Sequence, residues 1–319
     1  MESGINNVQP LLSIAIPTWN RAKKLEIALE RILPTLGNYG SQVQLVISDN
    51  ASTDNTQAII SRLVEKYQTA QIVSFKQNEN IGFYGNFKKC FSLGTGKFFW
   101  LLSDDDFIFD GLIETVIEIL TTYHTIGAIF LSDWTDDGNL KEKHTYNLVN
   151  HDDFFKFGNI RHTLISSVIY AHNVKGDDEI FSDIKNNSLI GYPVFLKAVN
   201  GYNDFAILRG NSLLKTNTEV RFDALNIFTV ELAICLRYAK RYLPNHIIQF
   251  ITNRFIATLI SKHYRDHKYH GLYKTSENNS LSIFKHYVKF RNFWIYIVPV
   301  ILMNKSTFYK LKRVFKFNK

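Results

Sequence analysis

The segment GKFFWLLSDDD (residues 96–106) is the stretch from which the fold and the site are predicted. It contains a short apolar run that is followed by three consecutive aspartates. The run at residues 98–102 predicts a buried strand. Burying three carboxylates without a partner costs free energy, and a divalent cation would remove that cost. Carboxylate oxygens are the ligands that Mg²⁺ and Mn²⁺ prefer. The alternative is a solvated acidic loop that caps a helix beginning near Asp110.

Alternating strands and helices surround this segment in the first 135 residues. The pattern predicts strands at residues 11–16, 43–47, 72–75, 98–102 and about 128–131, and helices at residues 25–36, 59–67, 84–93 and about 110–120. Strands that alternate with helices at this spacing form βαβ units, so the predicted fold class is α/β with a mostly parallel sheet. Beyond residue 135 the pattern is weaker and predicts a strand at 163–170 and helices at 189–199 and 228–242.

Three polar clusters follow the predicted strands. They are Thr18-Trp19-Asn20, Ser48-Asp49-Asn50 and Asp104-Asp105-Asp106. The carboxyl ends of parallel strands meet at one edge of a sheet, and ligands bind at that edge in folds of this kind. We therefore expect the three clusters to lie together in a single site.

Asp49 is the best candidate for a nucleoside contact, because a carboxylate at a strand end can accept a hydrogen bond from a base N–H or a ribose hydroxyl. The alternative is that Asp49 caps the next helix. For Asp54, which lies at the start of that helix, capping is the preferred interpretation. Trp19 suits stacking on a base, although an aromatic residue at that position suits the core as well. In Asn80-Ile81-Gly82, the glycine suits a positive φ or a close approach of the backbone.

Composition limits the class of protein. The chain has 319 residues, of which 45% are hydrophobic and 21% charged, enough for a sizeable core in one large or two modest domains. Two cysteines, Cys90 and Cys235, are too few for a disulfide framework and favour a reducing compartment. Residues 1–10 lack the features of a signal peptide, and no run of 18 apolar residues occurs. The expected location is cytoplasmic.

The net charge of +8 is unevenly distributed along the chain. Residues 241–319 contain 15 Lys and Arg residues against Asp266 and Glu277, a net charge of +13, which leaves about −5 for residues 1–240. Residues 292–304 are apolar but too short to span a bilayer, and residues 305–319 carry six cations among aromatic residues. This region suits the surface of an anionic membrane. The alternative is a helical subdomain whose aromatic residues pack on the rest of the chain.

Four segments together resemble the amino-terminal half of family 2 glycosyltransferases. They are IAIPTWNR (14–21), LVISDNASTDNT (45–56), NENIG (78–82) and GKFFWLLSDDD (96–106). The resemblance covers about residues 11–135 and looks closest to the abequosyltransferase-like branch of polysaccharide assembly. It implies a GT-A fold, a nucleotide-sugar donor and a divalent metal, Mn²⁺ or Mg²⁺, on the donor diphosphate. A UDP-sugar is the first expectation for the donor, with CDP-, GDP- and dTDP-sugars as alternatives.

The resemblance also implies roles for single residues. The expected nucleotide-sugar contacts are Pro17, Thr18, Trp19, Asn20, Asp49, Asn50, Asn80, Gly82 and Asp104. Asn50 stands where the family carries the second member of an acid pair, and Ser103 stands where its Asp-x-Asp-Asp metal motif begins. Asp105 is therefore the leading metal ligand, followed by Asp104 and Asp106.

An inverting transferase also needs a base that takes the proton of the acceptor hydroxyl. Inverting relatives carry an acid just before a helix in the second half, and the corresponding stretch here, residues 189–198, has no carboxylate. The nearby candidates for the base are Asp183, Asp204 and Asp177. A reaction that retains the configuration of the transferred sugar is the alternative to inversion.

We interpret residues 1–240 as a GT-A domain, with a nucleotide-sugar-binding half (11–135) and an acceptor-binding half (136–240). Residues 241–319 are expected to form a helical, basic region on the inner face of the cell membrane. The predicted function is transfer of a sugar to a glycan or lipid-linked glycan in surface polysaccharide synthesis. A non-catalytic scaffold with a degenerate GT-A fold and a nucleotidyltransferase are the alternatives. No nucleic-acid partner is expected, because no nucleic-acid-binding module appears and the acidic half would repel phosphates.

Overall fold

The computed structural model of the protein describes residues 9–135, 143–176, 178–215, 226–270 and 279–315. The described residues form two compact units. The first holds the chain up to residue 215 without residues 187–189, and the second holds residues 187–189 together with the chain from residue 226 onward.

A mixed sheet of nine strands forms the centre of the first unit in the described ranges. Its strands are β1 (Leu12–Thr18), β2 (Val43–Asp49), β3 (Gln71–Lys76), β4 (Phe98–Leu101), β5 (Asp106–Ile108), β6 (Ile126–Thr135), β7 (Thr145–Asn150), β8 (Val168–Ala171) and β9 (Asp204–Lys215). The order is β3-β2-β1-β4-β8-β6-β9-β5, and β7 pairs with β9. Six strands share one direction, whereas β5, β7 and β8 run against them. The predicted α/β class with a mostly parallel sheet is confirmed.

Seven α-helices follow the strands in the described part of this unit, and five of them match helices that the sequence predicts, whereas those at 151–158 and 178–183 have no predicted counterpart. The seven helices are α1 (Ala22–Leu36), α2 (Thr56–Lys66), α3 (Gly82–Leu93), α4 (Leu112–Thr122), α5 (His151–Gly158), α6 (Asp178–Asp183) and α7 (Gly191–Ala198). In α1 the apolar residues recur at helical spacing, and Leu25, Leu29 and Ile32 are buried together with β1 and β2 in one core. This core holds the carboxyl ends of the parallel strands in place.

Two sequence-based expectations about strands need correction. β1 continues through Pro17 to Thr18 instead of ending at residue 16. Proline has no N–H to donate, but the pairing of β4 with β1 ends at Ala15, so no donor is needed on that side of Pro17. The strand predicted at 163–170 is wrong in its first part, because residues Asn159–Thr163 form a 3-10 helix and only β8 is extended.

The second unit is helical in its described residues. Its helices are Leu232–Ala239, Asn245–Phe255, Ser261–Arg265, Asn279–Tyr287, Val298–Leu302 and Lys305–Phe315, joined by π-helical turns at Ile227–Glu231, Ile256–Ile260, Asp266–His270 and Phe293–Ile297. Residues 227–239, which the sequence assigned to the GT-A domain, group with this unit. The hydroxyl of Tyr287 donates to the carbonyl of Thr229 at 2.9 Å. None of the described helices has the length and hydropathy that crossing a bilayer requires.

His162 is an uncharged histidine in the core of the first unit. Its ring centroid lies 4.8 Å from that of Phe130, 4.7 Å from Phe154 and 5.6 Å from Phe195. Neither ring nitrogen has a hydrogen-bond partner among the described residues. Burial, together with the neighbouring Arg161 cation, lowers the pKa of His162 to about 3. The folded protein therefore resists taking up a proton at this position.

We expect acid to destabilise the protein through His162. The unfolded chain protonates this histidine near pH 6.5, whereas the folded chain does so only near pH 3, so stability falls as the pH drops below about 6.5. Between pH 7 and pH 5 this one group should lower the free energy of unfolding by roughly 2 kcal/mol. Urea unfolding at the two pH values measures the change.

His162→Leu should reduce the loss between pH 7 and pH 5 by that amount. His124→Leu is the matched control, because His124 is exposed, and this variant should keep the pH dependence of the wild type. A wild-type pH dependence in His162→Leu would contradict the role of the buried ring.

Candidate functional site

The carboxyl ends of β1, β2 and β4 meet at one edge of the sheet, as the sequence predicts. Thr18, the last residue of β1, is the register partner of Asp49, the last residue of β2. The hydroxyl of Thr18 donates to Oδ2 of Asp104, which follows β4, at 2.7 Å. The backbone N–H of Asn50 donates to the carbonyl of Thr18 at 2.9 Å. The three polar clusters therefore lie in one place, joined by one side-chain and one backbone hydrogen bond at Thr18.

Arg21 bridges two of the three aspartates. Its Nη1 lies 2.9 Å from Oδ1 of Asp104 and 2.8 Å from Oδ2 of Asp105. Nζ of Lys24 lies 3.4 Å from the same Asp105 oxygen, and the hydroxyl of Ser103 donates to the other oxygen of Asp105 at 2.5 Å. Both carboxylates are buried, so their charges are balanced by cationic side chains instead of by water. The solvated-loop alternative for the acidic run is therefore wrong.

The two carboxylates differ in how easily they ionise. Burial raises the pKa of Asp104 to about 6, and the Arg21 cation and the Thr18 hydroxyl limit this rise. Burial acts on Asp105 in the same direction, but the Ser103 hydroxyl and the cations of Arg21 and Lys24 outweigh it and lower its pKa. Asp105 is thus the firmly charged member, whereas the charge on Asp104 depends on the cations around it.

Asp106 has a different environment from the other two aspartates. It is the first residue of β5, and its Oδ2 accepts a hydrogen bond of 2.8 Å from the hydroxyl of Ser166. The same hydroxyl accepts a hydrogen bond from the backbone N–H of Ser103 at 2.8 Å. Ser166 has a φ of 74°, a conformation that is rare for a serine. Sequence reasoning missed this residue, which ties the acidic loop to the start of β8.

Asp49 is fully buried and has a fixed orientation. Its Oδ1 accepts from the backbone N–H of Ser52 at 2.9 Å, and its Oδ2 accepts from Nε2 of Gln57 at 2.7 Å. Asp54 acts at helix starts, as expected, and its carboxylate accepts from the backbone N–H of Ala22 and of Thr56. Asp54 therefore caps helices, whereas Asp49 lies at the carboxyl end of β2.

Asn50 connects the loops after β2 and β3. Its Nδ2 donates to Oδ1 of Asn80 at 2.8 Å, and its Oδ1 accepts from the backbone N–H of Ile81 at 3.0 Å. Gly82 begins α3 with a φ of 71°, which a residue with a Cβ rarely adopts. The predicted contacts Asn50, Asn80 and Gly82 thus form one hydrogen-bonded corner next to Asp49.

Trp19 and Asn20 lie at the exposed rim of the same edge. The backbone N–H of Asn20 donates to the hydroxyl of Ser52, and its Oδ1 accepts from the backbone N–H of Thr53 at 2.7 Å. Asn20 has a φ of 52°, and this turn leaves Trp19 half exposed. The core alternative for Trp19 is therefore wrong, and its ring is accessible to a planar ligand.

The two candidates for a catalytic base that the structure describes, Asp183 and Asp204, have no hydrogen bond to this cluster among those found. Asp204 is the first residue of β9 and lies at the opposite edge of the sheet, where the hydroxyl of Thr125 donates to it at 3.4 Å. Asp183 is exposed at the end of α6, and Asp177 lies outside the described residues. α7 is helical and carries no carboxylate, as the sequence indicates.

The donor chemistry of Asp104 and Asp105 fits a divalent cation. Their oxygens already converge on one positive group, Nη1 of Arg21. The described part of the chain brings no three His, Cys, Asp or Glu side chains together for a metal, and Asp106 is hydrogen-bonded to Ser166. Mg²⁺ is commonly held by one or two carboxylates together with substrate phosphates. Asp104 and Asp105 are the residues that match this arrangement.

Comparison with known proteins finds one family. A model described as "Glycosyl transferase family 2" matches residues 13–184, more than half of the chain. The abequosyltransferase RfbV of Salmonella typhimurium is 31% identical over 154 residues, which cover 47% of this chain and 44% of that protein. The GalNAc(5)-diNAcBac-PP-undecaprenol beta-1,3-glucosyltransferase of Campylobacter jejuni is 27% identical over 110 residues, 34% of each. The chain spans less than half the length of these relatives.

Solved structures resemble the chain over most of its length. TarS of S. aureus, residues 1–349, has a TM-score of 0.58 at 14% identity and covers 86% of this chain and 88% of its own. The mannosyltransferase PcManGT from Pyrobaculum calidifontis, in complex with GDP-Man and Mn²⁺, has a TM-score of 0.53 at 12% identity, with coverages of 97% and 88%. At these identities the likeness shows the fold, and the predicted GT-A fold is confirmed.

Replacing Arg21 with glutamine should lower the free energy of unfolding in metal-free buffer by about 1–2 kcal/mol, because two buried carboxylates lose a charged donor. Thermal denaturation with a chelator present measures this loss. Added Mn²⁺ should restore part of the stability, and it should raise the Tm of the variant more than that of the wild type.

Lys23→Gln is the matched control, because it removes the same charge from an exposed residue of α1. This control should stay within about 0.5 kcal/mol of the wild type. Equal losses in the two variants would show that Arg21 has no special role at the aspartates.

Proposed function

The chain belongs to glycosyltransferase family 2, and on that basis we propose that it transfers a sugar from a nucleotide-sugar donor to a glycan or lipid-linked glycan. The observation that carries the proposal is the convergence of Asp49 with the Asp104–Asp105 pair at one edge of the sheet. A donor of this class has a nucleoside at one end and a diphosphate at the other. The site offers one group of side chains for each.

The nucleoside end of the donor is proposed to lie against Asp49 and Trp19. The Asp49 carboxylate is fully buried and is held by Ser52 and Gln57, so a base N–H or a ribose hydroxyl can donate to its Oδ2 once the Gln57 side chain moves aside. The accessible ring of Trp19 can stack on a base. Asn50, hydrogen-bonded to Asn80, holds the corner beside them.

The diphosphate end is proposed to lie at Asp104 and Asp105, which would hold Mn²⁺ or Mg²⁺. A divalent ion there would stabilise the negative charge that develops on the departing nucleoside diphosphate. Arg21 now bridges the two carboxylates, so it must share them with the ion or leave them. Arg21 and Lys24 then stand beside the phosphates as additional positive charges.

The buried charges favour a transferase over a scaffold. A protein that only presents a surface gains nothing from keeping two carboxylates out of water, because their desolvation is costly. A site that exchanges its counter-ion for a charged ligand explains the same arrangement. Family membership separately disfavours a nucleotidyltransferase.

The acceptor and its location are part of the proposal. RfbV is named as an abequosyltransferase, and the name of the Campylobacter relative includes a PP-undecaprenol-linked glycan. We therefore assign the acceptor to the glycans of surface polysaccharides or their lipid-linked precursors. Residues 241–319 carry a net charge of +13, which suits peripheral attachment to an anionic membrane on the side where the donor is available.

A thermal-shift screen with nucleotide sugars tests the donor site. It should include UDP-, GDP-, CDP- and dTDP-sugars, each with and without Mn²⁺. TarS has been solved with UDP-GlcNAc and PcManGT with GDP-Man, so these two sugars enter the screen first. A donor at about one hundred times its Kd should stabilise the protein by roughly 2.7 kcal/mol, and the gain should be larger with the metal.

Two variants separate the ends of the site. Asp105→Asn should remove the effect of Mn²⁺, whereas Asp49→Asn should weaken the nucleotide sugar about tenfold to hundredfold at any metal concentration. Asp110→Asn is the control, since Asp110 is exposed just beyond the acidic loop and should bind as the wild type does. If no nucleotide sugar stabilised the folded protein, the scaffold alternative would replace the proposal.

A further inference from the structure

A ten-residue segment of the second unit, FWIYIVPVIL (residues 293–302), contains no charged residue. It folds as the π-helical turn Phe293–Ile297 followed by the helix Val298–Leu302. One face of the segment, formed by Phe293, Ile297 and Val300, is buried within the second unit. The segment is apolar on all sides, so burial of this one face leaves other apolar side chains of the segment outside the core.

The other face of the segment is exposed. The exposed fraction is 54% for Trp294, 46% for Ile295, 41% for Tyr296 and 79% for Leu302. They are four of the eleven large hydrophobic side chains that are exposed in the described part of the chain. Scattered exposed hydrophobic residues are ordinary, whereas four within nine residues indicate a surface that is covered in use.

The polar atom of Trp294 has its partner inside the protein. Its Nε1 donates to the carbonyl of Val288 at 2.7 Å. The indole ring contacts Phe293 edge to face at 5.6 Å between centroids, and Phe293 contacts the exposed Phe284 at 5.7 Å. The Nε1–H of Trp294 therefore keeps its hydrogen-bond partner when the ring leaves water, and the two exposed rings of Trp294 and Phe284 both contact the buried ring of Phe293.

Positive charges flank this apolar segment in the sequence. Residues 278–319 contain nine Lys and Arg residues and no Asp or Glu. Lys285, Lys289 and Arg291 are exposed before the segment, and Lys305 is exposed after it. A second copy of the chain would bring two such basic borders together, which like-charge repulsion opposes. An anionic lipid surface complements both features, because aromatic rings settle at the boundary between headgroups and acyl chains while cations meet the lipid charge.

We propose that Phe284, Trp294, Ile295, Tyr296 and Leu302, bordered by Lys285, Lys289, Arg291 and Lys305, form a docking surface for an anionic bilayer. This inference deepens the membrane attachment proposed above and names the residues that enter the lipid. The segment lies on the membrane instead of crossing it, since ten residues do not span the hydrocarbon layer.

Sedimentation of the full chain with lipid vesicles tests the surface. The wild type should bind phosphatidylcholine vesicles that contain phosphatidylglycerol and bind vesicles of phosphatidylcholine alone much more weakly. Ile295→Asp should weaken binding to the anionic vesicles about tenfold or more, because a charge then replaces an aliphatic group at the insertion depth. Removing Lys289 and Arg291 as a Gln pair should weaken it about fivefold per charge.

Ile27→Asp is the matched control. Ile27 and Ile295 are the same residue type with the same exposed fraction of 46%, and Ile27 lies on α1 of the first unit. Ile27→Asp should bind vesicles as the wild type does, and Ile295→Asp should keep the thermal shift with a soluble nucleotide sugar. That second readout separates a failure of this surface from a failure of the donor site.

Three results would overturn the proposal. They are no binding of the wild type to anionic vesicles, equal binding of Ile295→Asp and Ile27→Asp, and a change from dimer to monomer in Ile295→Asp at unchanged vesicle binding. The last result, measured by analytical ultracentrifugation, would assign the surface to a second copy of the chain.

Discussion

The pairing of Arg21 with Asp104 and Asp105 is the interaction on which the candidate site depends. β4 ends in the interior and delivers two carboxylates to a place with little water. A single guanidinium lies within 2.9 Å of both, and the hydroxyls of Thr18 and Ser103 occupy the remaining oxygens. Buried carboxylates stay charged only with such partners. The pairing also sets the start of α1 against the acidic loop, since Arg21 directly precedes that helix.

The two ends of the site are built on different principles. At Asp49 the hydrogen bonds come from the backbone N–H of Ser52 and from the side-chain amide of Gln57 in α2, which orients the carboxylate before any ligand arrives. At Asp104 and Asp105 the partners include the long, partly exposed side chains of Arg21 and Lys24. These side chains can change rotamer at little cost. In the proposed function a fixed nucleoside contact and an exchangeable counter-ion are what a donor with a metal-bound diphosphate requires.

Apart from β5, the order and type of the strands and helices up to α4 could be predicted from the sequence, because each one has a local pattern of apolar residues. The meeting of Thr18, Asp49 and Asp104 could be predicted as well, because parallel strands bring their carboxyl ends to one edge. β5 and β7 could not, since one has three residues and the other lacks an alternating pattern of burial. Ser166 is hydrogen-bonded to Asp106, which lies 60 residues earlier in the sequence. The residues next to Ser166 in the sequence contain no pattern that predicts this contact. Arg21 was part of a quoted motif, but its role follows only from the burial of the aspartates.

A crystal structure of the chain with Mn²⁺ and a nucleoside diphosphate, using anomalous diffraction from manganese, tests the central claim most directly. The account predicts an anomalous peak beside Asp105 and Asp104, the nucleoside beside Asp49, and Arg21 no longer bridging the two carboxylates. A bound nucleoside diphosphate with Arg21 still on both carboxylates and no manganese beside them would contradict it.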